Sequence, residues 1–168
     1  LEGFDHPGAH RQFEWDCKQT DMIKGISEHI ESNKDKRTVA HFLNEFEKNI
    51  PDLAVDMRMS VIHNDGNDHN ILISDNGDII GIIDFGDMVY TFQAAEPAVA
   101  MAYIALNKED PFPAIASMLK GYHAKFPLQQ SELASTIYLM CSRLCITVSM
   151  AAWRKRLFTD NKYLTISE

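Results

Sequence analysis

The chain has 168 residues, enough for one domain with a core of its own. Hydrophobic residues make up 45% and charged residues 24%, which excludes a disordered chain. The formal net charge of -8, with no basic stripe to offset it, argues against a nucleic-acid partner.

The opening Leu-Glu-Gly-Phe-Asp-His-Pro has neither the basic nor the apolar run of a signal peptide, and it lacks an initiator Met. That is the look of a fragment from a longer protein. Cys17, Cys141 and Cys145 contain no Cys-x-x-Cys pair, which suits free thiols in a reducing, cytoplasmic setting. Cys141 and Cys145 are read as small groups on a buried helix face rather than metal ligands.

In chain order, residues 4–16 form an irregular lead-in. Apolar positions Met22, Ile23, Ile26 and Ile30 then predict a helix within 17–31. After the polar break Glu-Ser-Asn-Lys-Asp-Lys-Arg, the spacing of Val39, Phe42, Leu43, Phe46 and Ile50 predicts an amphipathic helix stopped at Pro51. The period then changes. Val61-Ile62 is a short apolar stub, and Ile71-Leu72-Ile73 and residues 79–85 predict a β-hairpin with Asn76-Gly77 in a type I′ turn.

The remainder reads as helical. One helix carries Pro97 in its first turn, a second runs from Pro113 to before Pro127, and a long third runs from Ser131 as N-cap toward Phe158. Residues 133–153 are the most membrane-like stretch, but Arg143 and several Ser and Thr interrupt it, so a buried core helix is expected and no membrane partner. No repeat or linker divides residues 1–168.

Between the stub and the hairpin lies His63-Asn64-Asp65-Gly66-Asn67-Asp68-His69-Asn70. Such residues often decorate a turn and nothing more. Asp84, however, sits at the end of an apolar strand, where a carboxylate needs a partner. In a hairpin turning at Asn76-Gly77, Asn70 falls opposite Ile83 or Asp84, and Asp65 can fold back toward the same point. Two carboxylates and a carboxamide oxygen form a hard-oxygen site that suits Mg²⁺ completed by phosphates and water. An EF-hand is excluded, because the sixth position counted from Asp65 is Asn70 and not Gly.

The spacing His-x-Asp-x-x-x-x-Asn, followed by Asp-Phe-Gly, resembles the catalytic loop and metal-binding segment of protein-kinase-like phosphotransferases. "IHNDGNDHNILI" with "GIIDFGD" is similar to the aminoglycoside phosphotransferase and choline kinase-like family. Asn67, where many relatives carry His, and the segments 4–16 and 83–106 are closest to its hydroxylysine-kinase-type members. The resemblance implies an α+β, mostly helical fold: a kinase-like C-terminal lobe with a small antiparallel hairpin carrying the site.

It also implies a small-molecule kinase that uses ATP or GTP with Mg²⁺ to phosphorylate a hydroxylated amine or amino acid such as hydroxylysine. Asp65 would handle the substrate hydroxyl proton, and Asn70 and Asp84 would hold magnesium. His63 would prop the loop, Asp68 would serve as a turn residue, and Glu96 would cap the following helix. Asp87 would be either a supporting carboxylate or an exposed turn residue. Asp16, Glu96 and Glu132 are candidates for an ammonium group of the substrate. No glycine-rich phosphate loop or paired lysine precedes the loop, so the nucleotide-binding N-terminal lobe is missing and would have to act in cis. The fragment alone would then be inactive. The alternative is a regulatory or pseudokinase-like module that binds Mg-nucleotide without turnover; an upstream phosphate loop and lysine would decide between them.

Overall fold

In the computed structural model, which describes residues 1 and 3–157, the lead-in contains one short 3₁₀ turn, Pro7–Ala9. It is tied to the body by Arg11, whose guanidinium donates to the carbonyls of Gly86 (2.7 Å) and Met88 (3.3 Å), and by His10, which stacks on Tyr90.

Helix α1 (Thr20–Ser27) is shorter than residues 17–31. Helix α2 (Asn33–Ala54) starts inside the expected polar break, because Ser32 Oγ accepts the Asp35 N–H at 3.2 Å and caps it. It also runs past Pro51. A proline removes one intrahelical hydrogen bond and crowds the preceding turn, but Pro51 is exposed and close to the helix end, so the chain completes one more turn.

Strand β1 (Met59–Ile62) pairs antiparallel with β4 (Val89–Phe92), and β2 (Ile71–Ile73) pairs antiparallel with β3 (Ile79–Ile82). Strand β4 was not expected from the sequence. The hairpin forms, but its turn is not type I′: the Gly77 N–H donates to Ser74 O (2.9 Å) and only Gly77, at φ +85°, is left-handed, while Asn76 is not. That is a type I turn followed by a glycine bulge, and β3 ends at Ile82 rather than continuing to residue 85.

Helices α3 (Ala95–Ala105), α4 (Phe112–Lys125) and α5 (Gln130–Leu157) follow. Ser131 does not cap α5. The free N–H of Gln129 donates instead to the Glu132 carboxylate at 2.8 Å, and the Ser131 hydroxyl turns to Asp56 O. The expected extension to Phe158 lies outside the described residues. Helix α5 is long and apolar enough to span a membrane, but 56% of its most apolar window is buried, and it packs along α1, α2 and α3 as the core helix. Val89, Ala98, Val99, Leu139 and Ile62 lie in one cluster of that core, and Ile23, Leu43, Ile146 and Met150 in a second. Among the described residues the result is a mostly helical α+β fold with two small antiparallel two-stranded sheets.

Candidate active site

The two ribbons bring two loops together. Ile62 pairs with Val89 and Ile71 pairs with Ile82, so residues 63–70 and 83–88 are both strung between the same two strand pairs. They must run side by side. The Ile83 N–H donates to Asn70 O (2.9 Å), and His63 Nε2 lies 2.9 Å from Ile83 O. The His63 Nδ1 accepts the Asp65 N–H at 3.3 Å, which assigns the proton to Nε2 as donor to Ile83 O. His63, nearly fully buried, thus props the loop as expected from the sequence.

Asp65 is held at both oxygens. Oδ1 accepts from Tyr103 Oη (3.0 Å) and Arg143 Nη2 (3.1 Å), and Oδ2 accepts from Asn70 Nδ2 (2.7 Å). The same Asn70 amide nitrogen donates to Asp65 O at 2.9 Å. Both partners are acceptors, so the amide orientation of Asn70 follows from chemistry: its NH₂ faces Asp65, and its Oδ1 has no donor among the described residues.

Asp84, two residues beyond β3, is in the left-handed region at φ 62°, with Oδ1 3.4 Å from the Gly86 N–H, and it is exposed. Asn64 is also left-handed, at φ 65°. Asn and Asp tolerate this region better than other side chains, and such backbone gathers at functional sites. Asp87 is half-buried and does face the cluster. Burial raises its carboxyl above the ordinary 3.8, and the charges of Asp65 and, less strongly, Asp84 push the same way.

Three expectations need correction. Glu96 does not cap its own helix: Oε2 accepts the His63 N–H (2.6 Å) and the Asn64 N–H (3.3 Å), so it braces the loop backbone. Burial raises its carboxyl above the ordinary 4.5, partly opposed by those two N–H groups. The turn is made not by Asp68, which is exposed, but by Asn67 Oδ1, which accepts from His69 N (2.9 Å) and Asn70 N (3.2 Å). Nor does any candidate for an ammonium group lie open. Asp16 is fully buried on Thr91 Oγ1 and Lys18, Glu132 is fully buried on Arg58, and Glu96 is engaged as described.

Arg143 was missed as a site residue. It reaches Asp65 from the middle of α5, 1% exposed, donates through Nη1 to Trp15 O (3.1 Å), and lies over the Trp15 and Tyr103 rings. The available signal was a lone cation in an otherwise uncharged helical stretch, since a buried guanidinium requires a carboxylate.

The three cysteines are free, and burial pushes the Cys17 and Cys145 thiols up to about 12. Among the described residues no three His, Cys, Asp or Glu side chains converge to hold a metal. Asn70, 7% exposed, has an Oδ1 that accepts no hydrogen bond among the described residues, and the Asp84 carboxylate is exposed; both are hard-oxygen donors. That set suits a magnesium ion whose remaining ligands come from phosphates and water.

The chain matches the family model described as "Phosphotransferase enzyme family" over residues 4–128, a stretch that contains Asp65, Asn70, Asp84, Glu96 and Tyr103 but not Arg143. It is 29% identical over 180 residues to the hydroxylysine kinase of Mus musculus, covering 99% of this chain and 48% of that protein. The hydroxylysine kinase of Bos taurus gives the same figures, and that of Xenopus laevis is 25% identical over 181 residues, with 99% and 48% covered. The chain therefore spans about half the length of these relatives. No solved structure matches it. The family match covers well over half of the chain, and it includes both loops of the cluster built above: this chain belongs to the phosphotransferase enzyme family, with the kinase-like fold which that family implies.

Proposed function

We propose that the chain is the C-terminal lobe of a small-molecule kinase, which transfers the γ-phosphoryl group of ATP or GTP to a hydroxyl of a small amine or amino acid. Hydroxylysine, named in the relatives, is the first acceptor to try. One observation carries this reading: Asn70 spends its amide NH₂ on Asp65 and leaves its Oδ1 without a donor among the described residues, at the end of the ribbon that leads to Asp84.

In this reading Asp65 orients the acceptor hydroxyl and takes its proton. Its oxygens already accept three hydrogen bonds, so one of roughly four acceptor positions is left, on Oδ2. Asn70 and Asp84 hold magnesium, which would neutralise charge on the nucleotide phosphates. His63 and Glu96 keep the loop in register. Phosphoryl transfer depends mainly on positioning and electrostatics, so a rigidly hydrogen-bonded carboxylate suits the task.

The lobe also leaves Ile73, Ile79 and Ile80 of the hairpin more than 60% exposed, an apolar surface that supports a nucleotide-binding lobe packed there in cis. The three unpaired thiols agree with a cytoplasmic setting.

The test is phosphoryl transfer by the full-length protein from ATP and GTP to a panel of amino alcohols including hydroxylysine, with Asp65→Asn as control. Transfer that falls to a small residual rate in Asp65→Asn is expected. Mg-nucleotide binding with no transfer to any acceptor would refute the kinase and leave a binding module.

A further inference from the structure

Arg143 is an expensive residue to bury. Replacing a buried ion pair by apolar groups is often neutral or stabilising, so such a pair is weak evidence for a purely structural role. Here the guanidinium is also incompletely satisfied: Arg143 Nε is buried without a hydrogen-bond partner. What the arrangement does achieve is geometric. Nη2 donates both to Asp65 Oδ1 (3.1 Å) and to Tyr103 Oη (3.0 Å), and Tyr103 Oη in turn donates to the same Oδ1 (3.0 Å). Nη1 is fixed on Trp15 O, and the guanidinium plane is fixed against the Trp15 ring at 4.7 Å. The Trp15 carbonyl also accepts from Asn64 Nδ2 at 3.3 Å, which ties the loop backbone to the same anchor.

We infer that Arg143, with Tyr103, is a positioning residue for phosphoryl transfer: it locks Oδ1 of Asp65, so that Oδ2 alone is presented to the acceptor hydroxyl. This rests on the role proposed above for Asp65. Arg143 itself is shielded from substrate and acts through the carboxylate. A lysine keeps the charge but has no planar fork to span Asp65, Tyr103 and the Trp15 carbonyl at once.

The test is a mutant cycle in the full-length protein: Arg143→Met, Arg143→Lys and Tyr103→Phe, each alone and combined with Asp65→Asn, with kcat, KM and thermal midpoint measured for all. Arg143→Met should lower kcat about a hundredfold, the scale of a small misplacement of a reacting group, with KM for nucleotide within about twofold of wild type. Arg143→Lys should fall in between. On the Asp65→Asn background neither should reduce residual transfer further, because the residue acts only through that carboxylate. A merely structural arginine would lower both backgrounds alike, and such additivity, or a kcat within threefold of wild type, overturns the inference. Should Arg143→Met not fold, Arg143→Lys and Tyr103→Phe decide the cycle. An inactive wild type overturns the kinase reading and this inference together, whereas an active wild type matched by the variants overturns this one alone.

Discussion

Glu96 is the brace on which the loop depends, and Glu96→Ala is the perturbation that exposes it. Its Oε2 is the acceptor for the N–H groups of His63 (2.6 Å) and Asn64 (3.3 Å), residues 3% and 0% exposed. A hydrogen bond to a charged acceptor contributes about 1.5–3 kcal/mol, and a buried donor left unmet costs about 1–3 kcal/mol. The second contact is long, and Glu96 lines a cleft of about 890 Å³ that admits water. The loss should therefore be about 2–3 kcal/mol, less than the sum of two strong bonds.

For a domain of this size that is a drop of about 4–12 °C in melting temperature. Urea unfolding followed by tryptophan fluorescence would measure it. Glu96→Gln keeps a carbonyl acceptor and should lose about 1 kcal/mol. The pH dependence has a definite sign. The folded carboxyl titrates above its ordinary 4.5, so its contribution is fully present below that value and is lost as pH rises through the higher folded one. The advantage of wild type over Glu96→Gln should thus shrink from pH 4 toward neutrality. A Glu96→Ala protein within about 0.5 kcal/mol of wild type, or an advantage that grows with pH, would refute the reasoning.

Two further outcomes follow from the same contacts. Arg58→Met takes the guanidinium from the fully buried Glu132, which keeps only the N–H groups of Gln129 and residue 58, and should cost about 2–3 kcal/mol because Arg58 is partly exposed. Burial alone would raise the Glu132 carboxyl, but the Arg58 side chain and the N–H groups of Gln129 and Arg58 hold it below 4.5. The stabilisation it contributes is present above that value and is lost as pH falls through the lower folded one, so acid unfolding curves of wild type and Arg58→Met should converge at low pH. Asn70→Ala removes both the Asp65 tether and the Oδ1 oxygen, so the magnesium concentration for half-maximal turnover should rise at least tenfold; an unchanged requirement would remove Asn70 from the metal site.

Local patterns determined much of this protein. Apolar spacing marked α1 and α2, Pro97 and Pro113 marked the starts of α3 and α4, and Asn76-Gly77 marked the hairpin, because these signals act between residues a few positions apart. Turn position placed Asn70 opposite Ile83 or Asp84, and the Ile83 N–H donating to Asn70 O decides for Ile83. The spacing of Asp65, Asn70 and Asp84 was legible because both loops hang on one short ribbon.

What lay beyond the sequence arose from contacts between distant segments. Strand β4 is short and exists through its pairing with β1, some 30 positions earlier, so no local period announces it. Glu96 serves a loop 32 and 33 residues upstream rather than its own helix. Arg143 meets Asp65 across 78 residues because α5 crosses the core beneath the loop. A side chain's chemistry is written in its letter, but its partner is set by packing, and the low dielectric of that packing decides which charges must meet.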